Sequence, residues 1–478
     1  MLNRYFYKFS FSNVVIFISL ILHIFIPYTN IGFYAMDEHF QILEPLAYKL
    51  YLRENVNKDI WEFGATMRPW SQIYLYLLII NFLKVFFINN PFLWIFFIQM
   101  FLSILGFLSI LFLYKLLLDK NIIVETKFNL LIYFLFVFNL FLHARTSSEN
   151  LSITLFIFGI YFILRKDNFY ILNYKDLLIS SLFFGLSLIT RYQIIFLIAP
   201  FYLWFLIYYK TIYQIFVSSV VIIFVLFLGL VIDYFGYGFI NNTYYNYFYY
   251  NIIVGIFDNF GIEPWWYYIK ELSLRFYPPI GFFIFLGFII FVSVNFRSFI
   301  TWISSIYLII FSYLGHKELR FIFPFLVFSP IFLIYINSYL HKLNFLRIKK
   351  IFMYLILSLN FIFFITLFLP AERQTHLYRF IYNNLLSDTI YYTDRNPYLI
   401  DGLIPSFYIS ALPKIKKIGL NENFKNVNLV INDYKNYIKI LDNHSNCYKL
   451  YSSYPENIIK LNQNWKNKNL NWFVLKCT

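Results

Sequence analysis

Apolar residues in this chain come in blocks of roughly 15–25, separated by short polar breaks, which is the pattern of helices cut to bilayer thickness. About eleven spans are predicted, at 11–28, 92–114, 128–143, 150–164, 177–190, 194–209, 213–232, 278–295, 298–314, 321–340 and 351–369. The block Ile73–Ile88 is ambiguous, and positive charge decides it. Were it a span, Lys115, Lys120, Lys127 and the Arg165-Lys166-Lys175 group would all face outward. Read as an interfacial helix outside the membrane, it puts those groups inside, together with Lys210, Arg297 and Lys342-Arg347-Lys349-Lys350, as the positive-inside bias requires. The start of the chain, with Arg4 and Lys8, is then cytoplasmic and the C-terminus external. The loop after the first span, the turns at Arg145 and Arg191, residues 233–277 and the turn at His316 are external as well.

Beyond residue 369 the pattern changes to polar, Asn- and Lys-rich sequence with short β-like runs at Asp388–Thr393 and Asn428–Asn432, which predicts a small α/β domain. The expected fold class is therefore an all-α polytopic membrane domain over 1–369, with an external loop at 29–91, followed by an external α/β domain over 370–478. Composition agrees: 60% of residues are hydrophobic and 13% charged, where a soluble domain carries about a quarter charged. The formal charge of +15 belongs to cytoplasmic loops and does not point to nucleic acid. Cys447 and Cys477 lie in the external part, where a disulfide and two separate thiols are both open readings.

Chemistry is concentrated at the external ends of spans. The loop at 29–72 carries six acids and four bases, and opens with Asp37-Glu38 just past the first span. A carboxylate there stays ionised beside a lipid substrate, and can take the proton of an acceptor hydroxyl as a sugar is transferred to it. The run His316-Lys317-Glu318-Leu319-Arg320 fills a very short turn with four ionisable residues, which is costly between two spans. Lys and Arg suit phosphate oxygens, the first as a point charge and the second as a fork. The plain alternative is a solvated turn neutralised by Glu318 with Arg320 or Lys317. Glu62 and Arg68, beside Trp61 and Trp70, are candidate substrate contacts or interface anchors. Arg145 and Glu149 are four apart, which suggests an ion pair on one helical face, with substrate contact by Arg145 as the alternative. Arg191 has the same standing. There is no P-loop, no GxGxxG after a strand, no His/Cys metal set and no external Asp-x-Asp run, so neither a metal nor a cofactor is expected.

These residues resemble glycosyltransferase family 22, the polytopic α-mannosyltransferases that use polyprenyl or dolichyl phosphate mannose and include enzymes of GPI-anchor and N-glycan precursor assembly. The matching pieces are Met36-Asp37-Glu38-His39-Phe40-Gln41-Ile42-Leu43-Glu44, Trp61-Glu62-Phe63 with Met67-Arg68-Pro69-Trp70, Arg145-Thr146 with Glu149, and His316-Lys317-Glu318-Leu319-Arg320-Phe321. The flank of the Asp-Glu pair is closer to bacterial members. The resemblance implies a lipid-donor glycosyltransferase fold of the C type, with Asp37 as base and Glu38 beside it. It places His316, Lys317 and Arg320 at the donor phosphate, and implies metal-free, inverting transfer of a mannose or similar hexose. The partners it implies are a polyprenyl phosphate-linked donor, a lipid-linked or glycan acceptor and membrane lipids. The expected location is a bacterial inner membrane with a periplasmic site, or the equivalent endoplasmic reticulum arrangement. A lipid transporter or flippase would place charges inside spans and show repeated halves, and neither is visible. An O-antigen ligase or polymerase would carry its key residues in one large late loop.

Overall fold

The computed structural model describes residues 10–56, 60–166, 174–210, 212–419, 426–456, 459 and 471–478. Arg4 and Lys8, and Lys58 and Asp59 of the first loop, lie outside the described residues. The chain divides into two compact units. The first comprises Met1–Thr29, Trp61–Leu75 and Ile98–Leu369, and the second Asn30–Ile60, Tyr76–Phe97 and Pro370–Thr478.

The first unit is helical. Each predicted span falls on a helix or a broken helix, but among the described residues only five are long and apolar enough to cross a bilayer: Phe11–Thr29, Pro91–Asp119, Tyr192–Tyr209, Ile212–Tyr237 and Leu346–Phe368. A sixth arises if Leu319–Leu326 and Ser329–Lys342, bent by 59°, form one span. The segments Ser71–Val85, Lys127–His143, Ser148–Leu164, Ile280–Val294 and Phe299–Tyr313 are apolar but shorter. The chain is thus an integral membrane protein whose expected eleven spans are not all of full spanning length. Ser71–Val85, which is not among the eleven, reaches only about 22 Å at 1.5 Å per residue against a hydrocarbon core of about 30 Å.

Two breaks show why an apolar block need not be one straight helix. The predicted span at 128–143 is interrupted between Lys127–Phe134 and Val137–His143. Backbone groups freed in a membrane must find partners inside the protein. Asn360 of the last span supplies both: its Oδ1 accepts from Val137 N at 3.0 Å and its Nδ2 donates to Leu135 O at 2.8 Å. At the second break, Asn139 Nδ2 donates to Val327 O at 3.2 Å, and Pro324 and Pro330 sit at the starts of the flanking helices, where a missing N–H costs little. Serines join other helices: Ser180 Oγ donates to Gly159 O at 2.7 Å and Ser187 Oγ to Ser152 O at 2.6 Å, tying Tyr174–Thr190 to Ser148–Leu164.

The second unit contains a five-stranded mixed sheet of β1 Ile390–Tyr392, β2 Ile415–Lys417, β3 Val427–Ile431, β4 Cys447–Ser452 and β5 Phe473–Cys477, in the order β2-β1-β3-β5-β4. β1 runs parallel to β2 and β3, while β5 runs antiparallel to β3 and β4. Both strands expected from sequence, at 388–393 and 428–432, are present. Cys447 and Cys477 face each other across β4 and β5 and form a disulfide. Helices Arg373–Asn384, Ser406–Ile409 and Tyr434–Asn443 belong to the same α/β part, the last capped by Asp433, whose carboxylate accepts from Lys435 N at 2.7 Å.

Candidate functional site

Asp37 and Glu38 belong to the second unit, in a helical turn Met36–Glu38 that runs through a π-helical turn His39–Leu43 into helix Glu44–Lys49. Asp37 is half-buried and Glu38 is buried, its Oε2 accepting from Tyr34 N at 3.0 Å. One turn on, Glu44 is fully buried between three donors. Its Oε1 accepts from His39 Nε2 at 2.9 Å and from Phe407 N at 3.1 Å, and its Oε2 from Arg53 Nη1 at 2.5 Å. Burial works against the Glu44 charge, but the His39 hydrogen bond and charge, the Phe407 amide and the Arg53 guanidinium outweigh it and hold the carboxyl below its ordinary value. His39 also stacks on Tyr408, with centroids 5.6 Å apart and planes 17° from parallel. Neither His39 nor Glu44 was singled out from sequence as a site residue. The signal lay in the i, i+5 spacing, which a regular helix does not bring together and a π turn does.

In the first unit, the turn after Phe299–Tyr313 holds the other charged group. His316 Nδ1 donates to Gly261 O at 3.1 Å and its Nε2 faces Glu318 Oε1 at 3.2 Å. Arg320 grips the same carboxylate with two bonds, Nε to Oε2 at 2.6 Å and Nη2 to Oε1 at 3.0 Å. The internal neutralisation by Glu318 weighed from sequence is therefore present. Lys317 is buried, and its ammonium donates to the carbonyls of Glu263 at 2.7 Å, Gly315 at 3.3 Å and Leu314. Burial lowers the Lys317 pKa, with the Glu263 charge opposing. Glu263 N in turn donates to Gly315 O at 3.0 Å. Asp258 packs close to Gly315, where a Cβ would meet its Oδ1 at 2.5 Å unless that exposed side chain moved aside.

Of the remaining candidates of this unit, Glu62, Arg68 and Arg191 lie around Tyr247. Arg68 Nη2 pairs with Glu62 Oε1 at 2.6 Å, and the Arg68 guanidinium lies 6.0 Å from the Tyr247 ring. Tyr192, next to Arg191, meets Tyr247 edge-on at 5.3 Å. Burial raises the Tyr247 pKa, and the charges of Arg68, Arg191, Glu62 and Glu149 all reach it. The expected pairing of Arg145 with Glu149 on one helical face does not hold as drawn. Residues 144–147 form a turn, and the helix begins only at Ser148. Glu149 instead makes an ion pair with Arg191, Oε1 to Nη1 at 3.0 Å, and Arg191 also donates to Ser148 Oγ at 3.0 Å. Arg145 is buried, its guanidinium 5.2 Å from the Phe141 ring.

Two residues missed from sequence tie these parts together. Phe260 stacks on Trp61 at 6.3 Å and approaches His316 at 5.9 Å, so the Trp61-Glu62 segment and the His316 turn share a neighbour. Asp233 accepts from Trp70 N at 2.8 Å and from Thr243 Oγ1 at 2.6 Å, anchoring the Arg68-Pro69-Trp70 turn to the end of Ile212–Tyr237. Asp233 follows directly on the predicted span 213–232, and an acid at that edge of an apolar block is a signal the sequence carries. Among the described residues, no three His, Cys, Asp or Glu side chains come together as a metal site.

Comparison with known proteins gives a consistent picture. The model of the Alg9-like mannosyltransferase family matches residues 14–397. The crystal structure of ArnT from Cupriavidus metallidurans bound to undecaprenyl phosphate superposes with a TM-score of 0.54 at 9% identity, covering 98% of each chain. The apo ArnT structure gives a TM-score of 0.47 at 9% identity, covering 97% of each chain. No curated protein matches in sequence. The ArnT likeness shows a shared fold, the C-type glycosyltransferase fold expected from sequence.

Proposed function

The chain belongs to the Alg9-like mannosyltransferase family, and from that premise we propose that this membrane glycosyltransferase moves mannose, or a similar hexose, from a polyprenyl phosphate donor. The acceptor is a lipid-linked or glycan hydroxyl on the external face. The observation that carries the reading is the family match over residues 14–397, which includes the Asp37-Glu38 turn and the His316–Arg320 run. The undecaprenyl phosphate bound to ArnT supports a polyprenyl phosphate as the lipid carrier.

In the proposed reaction the acceptor oxygen attacks the anomeric carbon as the bond to the phosphate oxygen breaks. The electron pair leaves with the lipid phosphate, and the acceptor proton passes to the Asp37 carboxylate. Glu38 holds the neighbouring backbone, and His316 and Arg320 meet the charge that develops on the leaving phosphate. Lys317, whose ammonium is held by the carbonyls of Glu263, Leu314 and Gly315, adds its positive charge to the same phosphate-binding turn. Arg68, Glu62, Arg145 and Arg191 serve substrate binding. A single displacement inverts the anomeric centre, so a β-linked donor yields an α-glycoside. A phosphate leaving group has low basicity and needs no general acid.

The topology belongs to the proposal too: a cytoplasmic start, external residues 370–478, and a membrane that is either a bacterial inner membrane or the endoplasmic reticulum. The Cys447–Cys477 disulfide supports an oxidising location for the C-terminal part. The test is transfer of radiolabelled mannose from polyprenyl phosphate mannose by purified protein in liposomes, with EDTA present and a crude lipid extract as acceptor. Transfer by wild type that Asp37→Ala abolishes is the expected result. Full activity in Asp37→Ala would sink the base assignment, and an inert wild type with intact donor would remove mannose.

A further inference from the structure

The second unit places part of the C-terminal α/β region against both ends of the segment that carries Asp37. At the near end, Ala371 N donates to Ile31 O at 2.9 Å and Glu372 N to the same carbonyl at 3.3 Å. Gly32 lies in the left-handed region, with φ at 103°, and a Cβ there would meet Glu372 Cβ at 2.6 Å, so only glycine permits this approach. Two residues on is Tyr34, whose amide holds Glu38. At the far end, the segment Ile404–Tyr408 closes over the helix that follows. Phe407 N donates to Glu44, Arg53 Nη1 reaches Ile404 O at 3.2 Å and Ser406 Oγ at 3.4 Å while gripping Glu44, and Tyr408 stacks on His39.

These contacts are costly unless they act together. A buried carboxylate is tolerated only when paired and fully hydrogen-bonded, and removal of one partner leaves an uncompensated charge. The π turn at His39–Leu43 adds a residue between Asp37 and Glu44, and it is closed by the His39–Glu44 bond. The direction of the Asp37 side chain is thus set by a short stretch whose two ends are fastened to one support.

We propose that the C-terminal α/β region is a positioning clamp for the catalytic turn, with Glu44 and Gly32 as its positioning residues. This rests on the reading of Asp37 as the base. The clamp aims the carboxylate and makes no contact with the reacting atoms, so its loss affects turnover rather than donor binding.

The experiment uses the full-length protein in liposomes as wild type, Glu44→Ala, Glu44→Gln, Gly32→Ala and Asp37→Ala. Hydrogen–deuterium exchange across residues 33–50 is the first readout and is independent of any substrate. Exchange over 33–43 is expected to rise at least tenfold in Glu44→Ala and Gly32→Ala while β3 and β5 stay protected, with a smaller rise in Glu44→Gln, which keeps most of the hydrogen bonds. Unchanged exchange over 33–43 in Glu44→Gln and Gly32→Ala would overturn the clamp, even if Glu44→Ala failed to fold. With radiolabelled polyprenyl phosphate mannose as donor, kcat is expected to fall at least tenfold in Gly32→Ala with donor KM within twofold, and to be partly restored from Glu44→Ala to Glu44→Gln. Wild-type kcat in the clamp variants beside a dead Asp37→Ala refutes the clamp alone. An active Asp37→Ala refutes the base assignment instead, and the exchange readout still decides whether the turn is clamped.

Discussion

The Lys317 ammonium donates to the carbonyl of Glu263 across 2.7 Å, which fixes the charged turn at His316 to a loop more than fifty residues earlier. With Leu314 and Gly315 also bonded to it, this cation serves the backbone in the first instance. Lys317→Met keeps the stem and removes the donors, so the carbonyls of Glu263, Leu314 and Gly315 lose a charge-assisted hydrogen bond each. The expected cost is about 1–3 kcal/mol, read by thermal unfolding in detergent. Proteolysis within 255–264 should quicken in the same variant. Unaltered stability with lost transfer would mean that the charge, not the latch, is what matters.

Arg320 presents its fork to Glu318, so under the proposed donor-binding role a phosphate would have to share or displace that carboxylate. Glu318 is partly exposed while Arg320 is mostly buried, and a half-exposed bidentate pair of this kind contributes modestly to stability, about 1 kcal/mol. Glu318→Gln is therefore expected to leave unfolding nearly unchanged and to lower the KM for a polyprenyl phosphate donor several-fold. A raised KM would show that Glu318 holds Arg320 in its productive orientation.

Glu149 and Arg191 form the opposite case, a buried pair with side chains 5% and 9% exposed. Arg191→Met strands a buried carboxylate and should destabilise by about 3–5 kcal/mol. Adding Glu149→Gln should recover much of that, so the double variant is more stable than Arg191→Met alone. A double-mutant cycle on unfolding midpoints checks it; additive effects would deny the coupling.

The Glu44 cluster makes acid stability a diagnostic. Glu44 has a folded-state pKa below its ordinary 4.5. A depressed carboxylate contributes stability that is present above the unfolded value and is lost as pH falls through the folded one. The loss thus begins below about pH 4.5 and is absent at neutrality. Glu44→Gln should be less stable than wild type at pH 7, with the gap narrowing as the pH drops below that value. A gap independent of pH would exclude Glu44 as its source.

Much of this architecture is written in the chain's one-dimensional pattern, and the parts that are not have physical causes. Apolar length placed each predicted span on a helix or a broken helix, although only five helices among the described residues are long and apolar enough to cross a bilayer. It did not locate the break at Leu135–Phe136, since the compensating group is Asn360, more than two hundred residues away. The Asp37-Glu38 turn and the His316 run were visible as charges in places that charge avoids. Partner choice was not visible: Arg145 is nearer Glu149 in sequence, yet the turn at 144–147 and the approach of Arg191 give Glu149 a different ion pair. Nor does the Tyr- and Asn-rich composition of 241–251 mark out Tyr247, whose ring lies 6.0 Å from the Arg68 guanidinium and edge-on to Tyr192. Composition says nothing about what a loop touches.

The disulfide gives the proposed orientation a direct check. Cys447 and Cys477 are the chain's only cysteines, and they are joined across β4 and β5. Disulfides persist in oxidising compartments and are rare in reducing ones. If residues 370–478 are external, a membrane-impermeant maleimide applied to intact cells or sealed vesicles should leave the protein unlabelled. After treatment with an impermeant phosphine reductant, it should add two labels. Labelling without reductant would mean free thiols on the accessible side. Labelling only after the membrane is permeabilised would put the C-terminal part inside, and with it would invert every loop assigned from the lysine and arginine pattern.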